Sequence, residues 1–299
     1  MQIYKRTFGT LTKHLYESID IAYKAGSVAQ EFCIKRSIHD NGIKVTKKED
    51  TSPVTEVDKQ LNEIIVNHLS KQFTDARVVG EESDLSTLED VSKGMVFFVD
   101  PIDGTKEFIQ NNGQWSVMIG LALDGEAHLG VVYIPSSDEM FFAVHGHGSY
   151  MMKSQISTEP EQRVAEPLCA NNITDPSKVI NLASRSHYDS RVELLMKKIN
   201  ANKQIQIGSF GIKAAYIASG RADMYVQASG KTSYWDTCGP EVILAEAGAV
   251  LLNYKKKRIK YEGTNTRNVD AMIAAPTSII DKLHEAMCEV YDLKVEPKL

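Results

Sequence analysis

"VFFVDPIDGTKEF", residues 96–108, is the stretch from which both the fold and the chemistry are read. The unbroken apolar run over 96–99 predicts a buried strand. It ends at Asp100, and Pro101, Asp103 and Gly104 follow at once. These are turn residues: proline fixes its backbone angle and glycine lets the chain bend back. Two carboxylates close together on such a turn repel each other unless a proton or a cation lies between them. Ligands made only of oxygen favour Mg²⁺, Mn²⁺ or Ca²⁺ over zinc. Gly104 and Thr105 then offer backbone N–H groups and a hydroxyl, donors suited to phosphate oxygens. Taken alone, the stretch reads more simply as an Asp-Gly turn ahead of a threonine-initiated helix. Only further carboxylates brought to the same place favour the chemical reading.

Three other positions supply candidates. In "VVGEES" (78–83) a strand-like end is followed by Glu81. In "YWDTCGPEVILAEAGA" (234–249) Asp236 sits just before an expected helix with Pro240 near its first turn, and Trp235 could shield the carboxylate from water. Its ordinary reading is a helix cap and dipole partner. Asp58 stands three residues after Thr55 at the opening of a helix, where Thr-x-x-Asp is cap-like. A chemical role for Asp58 requires it to lie near Thr105 and accept that hydroxyl's proton. Acids gathered at strand and helix ends fit a metal-assisted phosphoryl site, in which two cations about 3.5–4 Å apart stabilise the attacking and leaving oxygens.

Around these motifs the pattern is layered. Apolar residues at Leu15, Ile19, Ala22, Ala29 and Phe32 predict one amphipathic helix, and those from Val57 to Leu69 a second. Residues 117–134 read as a hairpin turning at Asp124-Gly125, and 140–144 continue the sheet. Residues 151–177 are polar, with little periodicity and three prolines, and mark the expected boundary between a first part, 1–160, and a second, 161–299. Strand-like segments at 179–183, 204–207, 222–226, 250–252 and 271–274 then alternate with helix-like ones at 191–199, 212–219, 240–247 and from 278 onward. Helices packed on sheets in two parts are expected.

The chain has 299 residues, 42% of them apolar and 24% charged, with a net charge of −5. Mean hydropathy is −0.25 and the pI about 5.9. This is an ordinary globular composition with ample core, and it gives no electrostatic reason to expect nucleic acid. Cys33, Cys169, Cys238 and Cys288 form no CxxC pair, so neither a zinc site nor a disulfide framework is expected. No stretch approaches eighteen apolar residues, and the first twenty residues carry no apolar secretory core; a cytoplasmic protein without membrane contact is the expectation.

"DPIDGT", "WDTCGPEVILAEAGA" downstream and "VGEES" upstream, in that order, resemble the magnesium-dependent, lithium-sensitive inositol monophosphatase superfamily. The resemblance runs from "SPVTEVDK" (52–59) to residue 249. "DPIDGTKEFI", "ASRSHYD" (183–189) and "IGSFGIKAAYIASGRADMYV" (207–226) are similar to its 3′(2′),5′-bisphosphate nucleotidase branch. The resemblance implies a layered αβαβα fold. It implies metal ligation by Glu81, Asp100, Asp103, Asp236 and the carbonyl of Ile102, with Asp100 bridging two of two or three Mg²⁺ ions, and inhibition by Li⁺. It implies phosphate contacts from Gly104 and Thr105, and water activation by Thr105 paired with Asp58, together with Glu81. His187, Ser209 and Lys213 match positions lining the second phosphate and the sugar, though "SFGIK", between Ser209 and Lys213, is a stretch where relatives show varied residues. The implied reaction is hydrolysis of the 3′-phosphate of adenosine 3′,5′-bisphosphate to AMP by a monomer. An inositol phosphate, an inositol polyphosphate or a fructose bisphosphate is the alternative substrate. A non-catalytic nucleotide- or metal-binding member would lack one of the acids, and none is missing. A calcium-binding structural protein would carry the EF-hand pattern, and it is absent.

Overall fold

The computed structural model describes residues 6–39, 45–47, 53–153, 164–228, 230 and 232–293. Helix α1 (Thr12–His39) is followed by the short strands β1 (Val45–Lys47) and β2 (Pro53–Thr55) and by α2 (Glu56–Gln72). A seven-stranded sheet comes next: β3 (Ala76–Gly80), β4 (Met95–Asp103), β5 (Ser116–Leu123), β6 (Glu126–Ile134), β7 (Glu139–Val144), β8 (Ser149–Lys153) and β9 (Glu166–Pro167), with the short α3 (Thr105–Ile109) between β4 and β5. Its strands lie in sequence order; β3 and β4 are parallel and every later pair is antiparallel. The predicted hairpin turns at Asp124 (φ 48°) and Gly125 (φ 77°), left-handed at both central positions as a two-residue turn requires.

The second part contains β10 (Ile180–Ser184), α4 (Arg191–Lys198), β11 (Lys203–Ile207), α5 (Phe210–Ala218), β12 (Met224–Gln227), β13 (Thr232–Ser233), α6 (Tyr234–Glu246), β14 (Ala249–Asn253), β15 (Arg267–Asn268), β16 (Met272–Pro276) and α7 (Ile280–Val290). Its five-stranded sheet runs β11-β10-β12-β16-β14.

The buried clusters define the layers. Leu15, Ile19, Leu61 and Ile65 of α1 and α2 pack on Phe97, Ile119 and Val131, one face of the large sheet. Met118, Val132 and Phe141, on the opposite face, share a core with Ala215 of α5, Ile243 of α6 and Leu182 and Leu251 of the small sheet. The small sheet's outer face buries Met224 and Ile273 under Leu195 of α4 and Leu283 of α7. Neighbouring strand residues alternate between faces, so each sheet is covered on both sides. The result is the expected αβαβα sandwich, with α5 and α6 as the middle layer. Residue 160, the expected division, falls within 154–163, outside the described residues. Strand β8 runs into the region read as a boundary, which its polar composition concealed. No helix among the described residues is long and apolar enough to cross a membrane.

Candidate metal and phosphate site

Asp100 and Asp103 do not lie on a turn, as the sequence reading expected. Strand β4 continues through both: Asp100 pairs with Met118 and Asp103 with Ser116, with a register shift between them. Three steps along β4 therefore oppose two along β5, which is a β-bulge. In a regular strand, residues three apart face opposite ways; the extra residue brings both acids to one side. Pro101 has no N–H to give the ladder and falls in its irregular part.

Strand β3 runs parallel to β4 with Gly80 level with Val99, and the N–H of Glu81 donates to the Val99 carbonyl at 2.9 Å. Glu81 thus arrives beside Asp100. Asp236 comes from the middle layer. Its helix begins at Tyr234, not near Pro240 as expected, so Asp236 lies inside the first turn and Pro240 inside the helix. Proline is a good marker of a first turn, but here a buried helix accommodates it further along. The N–H of Ser233 donates to Asp236 Oδ2 at 2.5 Å and fixes the carboxylate. Asp100, Asp103 and Asp236 each offer an oxygen within 4.8 Å of the others.

Asp100 and Asp103 are buried. Burial, then the charges of Glu81, Asp103 and Asp236, push the Asp100 carboxyl well above its ordinary range. Burial also raises Asp103, opposed by hydrogen bonds from the Ser209 hydroxyl and the Gly211 N–H (2.8 Å) and by the charge of Lys213. Converging, desolvated carboxylates are the environment that a hard divalent cation relieves, and the donors are all oxygen. These residues fit Mg²⁺ or a similar ion.

Thr105 opens α3 immediately after Gly104, whose φ of 94° is left-handed and whose missing Cβ would lie 3.0 Å from the Gln114 carbonyl. The Thr105 hydroxyl lies 3.1 Å from Asp58 Oδ1 and 3.3 Å from the Ile102 carbonyl oxygen, acceptors for its one proton. Asp58 also closes the α2 capping box: its Oδ2 accepts from the Thr55 N–H at 2.8 Å and from the Thr55 hydroxyl. Burial raises the Asp58 carboxyl, against the bonds from Thr55 and Thr105 that favour its charged form.

Of the remaining expected residues, Ser209 and Lys213 lie one turn apart at the start of α5, and His187 stands away from both in a loop. Ser209 is fully buried; its hydroxyl caps α5 by accepting from the Ile212 N–H at 3.1 Å, donates to Asp103, and lies 2.9 Å from the Ser116 hydroxyl. It stands behind a candidate ligand. Lys213 is buried too, its ammonium donating to the Gly208 carbonyl at 3.0 Å and lying 4.6 Å from the centre of the Tyr225 ring. Burial lowers its pKa to about 8, while Asp103, Glu107 and Asp236 resist the shift. His187 is exposed in the loop after β10, where its N–H donates to the Ser184 hydroxyl at 3.2 Å. It lines a cleft of about 280 Å³ with Tyr188, Tyr225 and Gln227. Tyr225 is therefore shared between this cleft and Lys213.

The sequence reading missed the supports of Asp103, namely the Gly211 N–H and the Ser116–Ser209 pair. Ser209 ahead of an apolar helix was legible as a cap, but nothing local showed that its proton goes to a residue 106 positions away.

Residues 11–291 match the inositol monophosphatase family. Inositol monophosphatase 1 of Solanum lycopersicum is 28% identical over 246 residues, covering 82% of this chain and 86% of that protein. The 3′(2′),5′-bisphosphate nucleotidase CysQ of Escherichia coli K12 is 32% identical over 217 residues, covering 73% of this chain and 82% of that protein. Among solved structures, an IMPase of Thermotoga maritima superposes with a TM-score of 0.75 at 22% identity, covering 94% of this chain and 98% of the other.

Proposed function

The chain belongs to the inositol monophosphatase family and is a phosphoric monoester hydrolase, and from that premise we propose that it removes the 3′-phosphate of adenosine 3′,5′-bisphosphate with the aid of Mg²⁺. The observation that carries the reading is the Thr105–Asp58 hydrogen bond beside the Asp100, Asp103 and Asp236 cluster. Glu81, Asp100, Asp103, Asp236 and the Ile102 carbonyl would hold the ions. Bound there, divalent cations neutralise phosphoryl oxygens and acidify water. The Asp58 carboxylate accepts a hydrogen bond from the Thr105 hydroxyl, which leaves that oxygen's lone pairs to accept one from the attacking water; as the water's proton passes to Thr105, the Thr105 proton passes to Asp58. Asp58 and Glu81 are the nearby carboxylates able to draw protons from that water. Backbone N–H groups at Gly104 and Thr105 receive the phosphate. Because the water attacks phosphorus directly, no covalent enzyme intermediate is needed.

The choice of a bisphosphate nucleotide is supported by the 32% identical nucleotidase and by Lys213. A buried ammonium beside a cleft suits a second anionic group on the substrate. His187 and Ser209 complete that side, His187 by lining the cleft and Ser209 by holding Asp103 and the start of the helix that carries Lys213. The protein acts as a cytoplasmic monomer in this reading, and Li⁺ inhibits it. Hydrolysis of an inositol phosphate is the second reading, favoured by the tomato relative, which is 28% identical over 82% of the chain. Phosphate release from adenosine 3′,5′-bisphosphate and from inositol 1-phosphate, each with and without Mg²⁺, decides between them. A clear preference for the inositol ester overturns the nucleotide reading; full activity without divalent ions overturns the metal assignment.

A further inference from the structure

Glu107 has no part in the chemistry above, yet it is one of the most enclosed carboxylates in the protein, 2% exposed. Its surroundings are specific. Oε1 accepts a hydrogen bond from the Ser186 hydroxyl, 79 residues away and adjacent to His187. Oε2 lies beside Gly104, 3.5 Å from where a Cβ would be. Its Cγ and Cδ would both be 2.3 Å from a Cβ at Gly208, so only glycine fits there. The Gly208 carbonyl is in turn the acceptor for the Lys213 ammonium. One buried side chain therefore touches the phosphate turn, the loop carrying His187 and the residue that anchors Lys213. Its charge also helps to hold Lys213 protonated against the cost of burial.

We propose that Glu107 is a positioning residue that locks the Lys213 ammonium and the 184–188 loop to the Gly104–Thr105 turn, and so sets the preference for substrates carrying a second phosphate. This rests on the phosphatase reading above and adds to it a residue that never touches substrate. The geometry is selective: a residue acting on the scissile phosphate would affect every ester alike, whereas Glu107 reaches the far side of the site through Ser186 and Gly208.

The test compares adenosine 3′,5′-bisphosphate with adenosine 3′-monophosphate, which share the bond that is cut. In Glu107→Gln, which keeps size and an acceptor for Ser186 but removes the charge, the bisphosphate-to-monophosphate ratio of kcat/KM falls about tenfold, the loss lying in KM. Ser186→Ala, which removes only the donor, moves the ratio the same way by a smaller factor. Hydrogen exchange at 184–188 and 207–209 quickens in both variants. Equal losses on the two substrates, or a loss confined to kcat, overturn the specificity role. Unchanged exchange at both segments overturns the lock itself. A wild-type enzyme that does not distinguish the two nucleotides defeats the bisphosphate reading and with it the specificity role. The exchange measurement needs no substrate and still decides whether Glu107 joins the loops.

Discussion

Gly130→Ala tests how the middle layer delivers Asp236. Gly120 and Gly130 pair across β5 and β6, and the backbone of α6 lies directly on them at Gly239. A Cβ at residue 130 would be 2.0 Å from the Gly239 carbonyl oxygen and 2.7 Å from its carbon, both backbone atoms that no rotamer change can move aside. Since such contacts are not found below 3.0 Å, the helix must lift by at least the difference, about 1 Å. Asp236 is three residues away on the same helix, less than one turn, so it moves with Gly239. Mg²⁺ accepts ligands at about 2.0–2.1 Å in near-octahedral geometry, and a 1 Å error is half a bond length. Overpacking costs about 1–3 kcal/mol, about 2–4 °C in Tm per kcal/mol, so the protein stays folded at 25 °C. Displacement of a reacting geometry by about 1 Å costs on the order of 10²-fold in turnover. Phosphate release titrated with Mg²⁺, with calorimetry on the same samples, should show half-activation shifted to higher Mg²⁺ concentration and a turnover reduced by about that factor. A folded variant with wild-type Mg²⁺ dependence and rate would refute the idea that the glycine contact sets the position of Asp236.

The other predictions concern single groups. Thr105→Ala should lower kcat by about 10²–10⁴ with little change in KM, and Thr105→Ser should restore most of the rate; an alanine variant of near-normal kcat removes Thr105 from water positioning. Lys213→Met should weaken adenosine 3′,5′-bisphosphate more than inositol 1-phosphate, while equal losses take Lys213 out of specificity. Burial raises the Glu241 carboxyl from its ordinary 4.5 to about 7, against a hydrogen bond from the Tyr261 hydroxyl at 2.6 Å. The folded chain therefore keeps a proton that the unfolded chain releases. Stability falls as pH rises from about 4.5 through about 7 and is level above. Glu241→Gln should abolish that part of the slope in Tm measured between pH 5 and 8; an identical slope in the variant shows that Glu241 is not its source.

Periodicity was enough to read α1, α2 and the hairpin, because their apolar spacing is long and regular and Asp124-Gly125 is compatible with few structures besides a two-residue turn. The second part was also legible as alternating strands and helices, to within a residue or two at most ends. What local pattern misjudged was the ground beneath the acids. Asp-Pro-Ile-Asp-Gly has the composition of a turn, and only pairing with Met118 and Ser116 makes it a bulged strand. Pro240 pulled the expected helix start six residues downstream, because the burial that lets a helix tolerate proline is a tertiary property. Lys213 illustrates the same limit. A lysine early in a helix is ordinarily solvated, and nothing nearby in sequence indicates the layer that covers it.

For Asp58 the two readings the sequence offered are not alternatives. Oδ2 closes the cap of α2 with Thr55, and Oδ1 receives the Thr105 hydroxyl. The cap removes the side chain's rotational freedom before any substrate arrives, so Oδ1 is already aimed when Thr105 needs an acceptor. A free aspartate would lose that entropy during the reaction. In the proposed mechanism the helix start thus belongs to the catalytic geometry, and Thr55, which there touches neither ion nor phosphate, sets the orientation of the carboxylate that orients Thr105.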